Sequence, residues 1–513
     1  MALWGKTDAS ESVPKWLEDD VNNTNESNDA DNALFIDLTE AADNANREKG
    51  LKTPGWNLYH TYTDQNGVTR HKAEALVVMK VSAALANLSQ GGGGGGGGSL
   101  FSIPLATANP SAATLLYTID NPNVYGTSAN DYFGNNNNYS SRSVQTDGTH
   151  LIVGAAQEDD AGGSSSGAAY IFDASDGTLL HTLTNPNAYS TGANDNFGFS
   201  VAIVGNYAVV GAPGEDEDGA SSSGKAYIFN VTTGALLHTL DNPNSSGSAS
   251  SDEFGKAVGI NSTHAFVGAS GQKTIYAFSL ETGAEAFNFS DVSADSSWGY
   301  DFAVDDTYVV VGHRQYNSSS GRVYIYSATD GSLVRTIENP NPFNGGAGDN
   351  FGYGVDISEG YIVVGSDEGN APITTSYGSI LSSNKIGYAY VFEIATGNLI
   401  STMINHNPDG GILSGYTNRD GFSRRNVAIS GEVVVVGAYI EAATTTGGQI
   451  YLYDRTTGNL LVTIANPNGY DTGAYDYFGM RLDIAGDVLY ANAGNEDDAG
   501  GSNSGKVYAH SLS

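Results

Sequence analysis

NDNFGFSVAIVGNYAVVGAPGEDEDGASSSGKAYIFNVTTGALLHTLDNPN, residues 194–244, divides into four short apolar runs separated by turns. The first follows Phe197-Gly198, the second is YAVVGA, the third is KAYIFN, and the fourth is ALLHTL after the turn Thr233-Gly234. Runs of four to seven apolar or alternating residues bounded by Gly, Asn and Asp are what buried antiparallel strands require. The stretch therefore reads as one four-stranded sheet.

The same stretch recurs through the rest of the chain. Its aromatic anchor falls at Phe133, Phe197, Phe254, Trp298, Phe351, Phe422 and Phe478, six intervals over 345 residues. Phe422 follows its glycine, Gly421, whereas the other six precede theirs. The second-strand glycines Gly154, Gly211, Gly268, Gly312, Gly365, Gly437 and Gly494 keep that count, as do the third-strand tyrosines Tyr170, Tyr227, Tyr276, Tyr324, Tyr390, Tyr451 and Tyr508. Fourth strands follow only six times, at GTLLHTL, GALLHTL, GAEAFNF, GSLVRTI, GNLISTM and GNLLVTI. The seventh unit ends at VYAHSLS, and LLYTIDNPN (Leu115 to Asn123) precedes the first anchor as the match to LLHTLDNPN. This predicts an all-β, seven-bladed β-propeller over 115–513 whose last blade takes its outer strand from the start of the repeat region. Radial repetition leaves only short edges, and mixing the two ends in one blade locks the ring.

Composition agrees with many short strands, with 66 Gly and 30 Tyr in 513 residues. A formal charge of −35, from 22 Lys and Arg against 57 Asp and Glu, repels nucleic acid and anionic membranes, so neither is expected as a partner. There is no cysteine, which excludes disulfides and thiolate metal sites. The first twenty residues carry no basic segment followed by an apolar one, and no stretch approaches 18 apolar residues, so neither an export leader nor membrane insertion is expected.

Eight glycines at 91–98 mark a flexible linker over 91–114. Residues 1–32 are polar and read as an extended or partner-dependent arm. Residues 33–90 read as a small α+β module: a strand at ALFIDL, a helix N-capped by Thr39 and ending at Gly50, then a hairpin turning at Asn66-Gly67. Such a unit buries few apolar side chains and needs a partner surface.

The repeats resemble the FG-GAP repeat of bacterial and integrin-type propellers, with Phe197-Gly198 as the FG and Gly211-Ala212-Pro213 as the GAP. That resemblance implies calcium held by a D-x-D-x-D-G-x-x-D loop between the FG and GAP strands. Here the interval is a tight hairpin such as AIVGNYAVV, without the carboxylates, so the family's calcium site does not carry over. LFIDLTEAADNANREKGLKTPGWNLYHTYTDQNGVTRHKAEALVVM resembles a module of virion structural proteins of marine, cyanophage-type tailed phages. The resemblance implies a particle component docked through this unit, with Trp56, Tyr59, Tyr62, Arg70 and His71 as docking candidates.

Acidic clusters follow the second strand at Glu158-Asp159-Asp160, at Asp216 and Asp218 within GEDEDG, and at Glu496-Asp497-Asp498. Adjacent carboxylates invite a weakly held Ca2+, the one cofactor the sequence suggests; the plainer reading is a solvated turn. Asp131, Asp195, Asp252, Asp349 and Asp476 each stand two residues before the FG aromatic, a regularity that argues for accepting turn N–H bonds rather than for catalysis. Gly163–Gly167 formally matches G-x-S-x-G but does not lie between a strand and a helix. Nine histidines lack ligand spacing, and His181 and His238 occupy equivalent fourth-strand positions. Tyr125, Tyr189 and Tyr470 in the NPNxY segments suit either sugar stacking or turn packing.

No paired acid and base stands out for a channel-centred enzyme, so no enzymatic activity is expected. The expected role is a virion structural protein, present in multiple copies. Residues 1–90 would meet other virion proteins at head, neck or tail, and the propeller would decorate the particle or meet a host-surface glycan. The alternative is a secreted or cell-surface adhesin of a marine bacterium.

Overall fold

The computed structural model describes residues 109–513 apart from segments 124–129, 136–141, 160–162, 188–191, 217–219, 245–250, 292–296, 341–347, 368–373, 376–377, 380–386, 406–420, 441–446, 469–475 and 498–501. Nearer the N-terminus it describes three strands. Residues 1–103 and 104–513 are two units.

In the first unit, strands Phe35–Asp37 and Trp56–Thr63 flank Thr69–Ala75 in one antiparallel sheet. Register places Tyr62 opposite Arg70 and Thr61 opposite His71, with an irregularity between Leu58 and His60. The helix expected from Thr39 and the linker at 91–108 lie outside the described residues.

The second unit is a seven-bladed β-propeller. Blade 2 pairs Ser200–Val204, Tyr207–Ala212, Lys225–Asn230 and Leu236–Asp241 in sequence order, and blades 1 and 3–6 repeat the arrangement. Blade 7 consists of Phe478–Ala485, Val488–Ala493, Lys506–Leu512 and, on its outer edge, Ala113–Asp120. The closing strand thus begins two residues earlier than its sequence match suggests and stops before Asn121. It runs antiparallel to the last strand, Asp120 opposite Lys506 and Ala113 opposite Leu512. Two further N–H groups, Ser111 and Ala112, donate to the Ser513 carbonyl.

Third strands are buried almost throughout, whereas outer strands bury a single apolar side chain each: Leu183, Leu240, Phe289, Ile337, Met403, Ile464 and Ile119. Seven apolar clusters fill the seven blade interfaces. At the centre of most lies the FG aromatic: Phe133 meets Tyr170 and Phe172 edge-on, and Phe197 meets Tyr227 and Phe229 in the same way. Such pairs add to the area term.

The glycines of the motif are dictated by how closely neighbouring blades approach. A Cβ on Gly154 would stand 1.9 Å from the Gly198 carbonyl oxygen of the next blade, and one on Gly211 would stand 1.9 Å from that of Gly255. FG glycine and GAP glycine therefore touch across the interface, backbone to backbone. Fourth-strand side chains stitch the rim: His181 Nε2 lies 3.1 Å from the Thr232 carbonyl and His238 Nε2 lies 3.2 Å from that of Glu281, each in the next blade. Arg335 donates to the Ile394 and Ala395 carbonyls in the same way. The two histidines are parts of the repeat.

His510 departs from it. Its position carries Phe172, Phe229, Phe278, Tyr326, Phe392 and Tyr453 in the other blades. The imidazole is 2% exposed, its Nδ1 has no partner, and burial pushes its pKa down to about 4. With the folded value below the unfolded one near 6.5, the unfolded chain binds the extra proton, so stability is complete above about pH 6.5 and is lost as pH falls toward 4. His510→Phe is expected to raise stability by about 2 kcal/mol at pH 4.5 and by less at pH 7.5, read from urea midpoints at the two pH values.

Candidate functional site

The acidic turns are built into the fold. Glu158, Glu215 and Glu496 are buried, and each accepts a hydrogen bond from the third-strand tyrosine twelve residues on: Tyr170 at 2.5 Å, Tyr227 at 2.6 Å, and Tyr508. Burial and the adjoining carboxylate push those hydroxyls far above the ordinary phenol value. Burial also raises Glu496, which the hydrogen bond from Tyr508 and the Lys506 ammonium at 3.2 Å partly offset. The next residue caps the turn: Asp159, Asp216 and Asp497 accept the N–H groups of Ser165, Ser222 and Asn503 at 2.7–2.8 Å. Among the described residues no three His, Cys, Asp or Glu side chains are grouped to hold a metal ion. Asp160, Asp218 and Asp498 lie outside the described residues, as do Tyr125, Tyr189 and Tyr470.

Asp131, Asp195, Asp252, Asp349 and Asp476 are buried, and their donors are side-chain amides where turn N–H groups were expected. Both asparagines of the preceding Asn-Pro-Asn reach one carboxylate: Asn185 and Asn187 to Asp195 at 2.9 and 2.8 Å, and Asn242 and Asn244 to Asp252 at 3.0 and 3.1 Å. The first asparagine also turns the chain, its Oδ1 accepting the N–H of the second. This clamp ties five of the seven outer strands to the FG entrance of the next blade.

The central channel holds what the sequence reading missed. Its mouth, on the face of the hairpins between first and second strands, is a cavity of about 470 Å³ lined by all seven blades, with Asp147, Asp305, Asp306, Asp356 and Asp483 around it. Midway, Arg142 of blade 1 crosses to blades 4 and 5, its Nη1 3.0 Å from Asp356, its Nε 3.4 Å from Asp301, and its Nη2 on the Val355 carbonyl. Burial disfavours this guanidinium, but Asp301, Asp356 and Asp483 outweigh it and hold the charge firmly. The three carboxylates also join blades, accepting the N–H groups of Val355, Ile429 and Thr146 respectively. Burial, with Asp356 nearby, lifts Asp483 to about 7.

Beyond Arg142, toward the FG face, the sign reverses. Arg314, Arg424 and Arg425 gather over the ring of Tyr353, at 4.4, 5.3 and 4.6 Å from its centroid, and Lys256 lies 4.6 Å over Tyr300. Burial pushes the Tyr353 hydroxyl up, but Arg425, Arg314 and Arg424 together bring it below its ordinary value. Arg481, 5% exposed, completes the group. Thus Arg142, Arg424, Arg425 and Arg481 line cavities of the channel, and Arg314 and Lys256 lie over the rings of Tyr353 and Tyr300, six of the fourteen cations after residue 90 in an acidic protein. For Lys256, Asp301, Asp356, Arg424, Arg425, Arg481 and Asp483 the available signal was a charge two to five places after the FG aromatic; Arg142 and Arg314 lie outside that window.

The channel brings together Asp301, Asp356 and Asp483 from three blades, and each accepts a backbone N–H from the adjoining blade. The site is a polarised, plugged channel suited to holding charged groups. Among the described residues no helix is long and apolar enough to cross a membrane.

Among curated proteins none matches this sequence. Similar solved structures include KlHsv2 with loop 6CD replaced by a Gly-Ser linker, at 8% identity and a TM-score of 0.40, covering 73% of this chain and 97% of that one. They also include KlAtg21 in complex with the coiled coil of AgAtg16, at 10% identity and a TM-score of 0.42, with 74% and 94% covered. A third is the β-propeller domain of the trilobed protease from Pyrococcus furiosus, at 12% identity and a TM-score of 0.40, with 68% and 87% covered. Residues 126–172 and 188–229, which span most of the first two blades, match the FG-GAP repeat family model.

Proposed function

We propose that the protein is a virion structural component that displays its propeller as a binding head and attaches through residues 1–90. The observation that carries this reading is the division of the chain into a small N-terminal unit and a propeller that closes without it. A self-closed ring can be held out on the octaglycine tether while the first unit stays with the particle. The FG-GAP match supports a domain of binding or adhesion type, and the virion part rests on the resemblance of residues 34–79 to phage particle modules. In this reading the buried acids and the plugged channel serve the rigidity of the head, the protein is not an enzyme, and many copies meet host glycan together. The FG-GAP match also suits an extracellular adhesin.

Mass spectrometry of purified particles separates the two: the virion reading expects the chain among the particle proteins and is lost without it. Deleting residues 1–90 is expected to leave a folded propeller that no longer co-purifies with particles. Continued co-purification would make the propeller itself the anchor.

A further inference from the structure

We infer that the FG-face end of the channel is an anion site, in which one halide-sized anion, chloride in ordinary buffers, sits between the guanidiniums of Arg425 and Arg481. Two small cavities meet at these side chains. One, of about 20 Å³, is lined by Arg142, Val144, Asp301, Arg425, Val427, Arg481 and Leu482. The other, of about 10 Å³, is lined by Tyr353, Arg424, Arg425, Tyr439, Met480 and Arg481. Arg425 and Arg481 border both, so each is solvated by whatever fills them.

The donors are present and unused. Arg481 is 95% removed from solvent, and its Nη1 is spent on the Met480 carbonyl at 2.9 Å. Its Nε and Nη2, and Arg425 Nη1, are buried without a partner. The nearest carboxylate, Asp301, is committed to Arg142 and to the Val355 N–H. Two like charges covered by protein, with three unpartnered N–H groups on residues that line these cavities, are costly unless a counter-charge joins them. Burial depresses both guanidiniums, Arg425 to about 9, with repulsion from Arg314 and Arg481 added at Arg425 and from Arg142 at Arg481.

Size selects the ligand. A void of 10–20 Å³ holds one water-sized body and excludes a sulfate, a phosphate or the carboxylate end of a sugar acid. Tyr353 and Tyr439, 9% and 5% exposed, line the smaller cavity. The Arg142–Asp301–Asp356 plug separates the site from the acidic mouth.

The full chain crystallised with bromide in place of chloride provides the test. An anomalous peak in contact with Arg481 Nη2 and Arg425 Nη1 is expected, and its absence at 200 mM bromide would overturn the proposal. In solution, raising chloride from 1 to 200 mM at constant ionic strength, with gluconate as the balancing ion, is expected to lift Tm by about 3 °C. Arg481→Met is expected to abolish that dependence. Should this variant fail to fold, Arg425→Gln, at a less buried position, reads the same quantity. A wild-type Tm indifferent to chloride, or a dependence unchanged in the folded variant, would show water in the cavity instead.

Discussion

Replacing Gly211 with alanine is expected to lower stability by about 3–5 kcal/mol, one added methyl group acting as a wedge between two blades. The new Cβ would meet the Gly255 carbonyl oxygen at 1.9 Å and Ser200 Oγ at 2.5 Å. Serine can rotate away, but the carbonyl cannot, because Gly255 follows Phe254, which is fully buried and edge-packed on Tyr276 and Phe278. Relief requires moving blade 3 as a body, which opens a cluster that runs from Ala202 to Leu280. Gly205→Ala serves as the control: φ is +54° there, but nothing lies within 4 Å of the new atom, so only about 1 kcal/mol of backbone strain is expected. Thermal unfolding should separate the two, with a fall in Tm of about 5–10 °C for Gly211→Ala and only a small one for Gly205→Ala. Equal shifts would mean that the blades do not meet at the glycines.

A chain that starts at Asn121 should lose still more. It keeps the Asn-Pro-Asn clamp on Asp131 but removes the outer strand of blade 7. Ile119 leaves the blade 7–blade 1 interface, and Tyr117 leaves the Ala174 carbonyl, which it meets at 2.5 Å. Lys506–Leu512 becomes an unpaired edge. Burial of those two side chains and about seven residue pairs together exceed about 5 kcal/mol. An uncovered edge beside the ring's own joint also invites pairing between copies. The truncated chain is expected to unfold at least about 10 °C lower and to self-associate, and a peptide of residues 111–123 added in excess should restore the monomer. An unchanged Tm would mean that the ring closes by other means.

Much of this fold was readable because the repeat is a record of contacts. An aromatic recurs where an interface must be filled, and a glycine recurs where two backbones touch, so three landmarks gave the same count of seven. The closing strand was readable because Leu115 to Asn123 repeats LLHTLDNPN, though the strand and the clamp that follows it look continuous in sequence; the strand ends at Asp120, and Asn121 and Asn123 belong to Asp131. The duty of Glu158, Glu215 and Glu496 was present as a constant spacing of twelve to Tyr170, Tyr227 and Tyr508, but carboxylates drawn together in a hydrophilic turn look solvated until their burial is known. The channel was the least legible part. Arg142 lies 159 and 214 residues from Asp301 and Asp356, and nothing local marks such partners. Only the circular arrangement brings the axis-facing positions of seven repeats together.

The ring closure is tested most directly by a single cross-link, which the absence of cysteine makes unambiguous. Asp120 and Lys506 are register partners, so Asp120→Cys with Lys506→Cys places two thiols on directly opposed positions about 5 Å apart, within disulfide range. Peptide mass mapping after mild oxidation is expected to find the 120–506 disulfide in nearly all of the protein, and little or none when Leu116→Cys replaces Asp120→Cys. Free thiols in the first variant, or equal linkage in both, would contradict a propeller closed by the strand Ala113–Asp120.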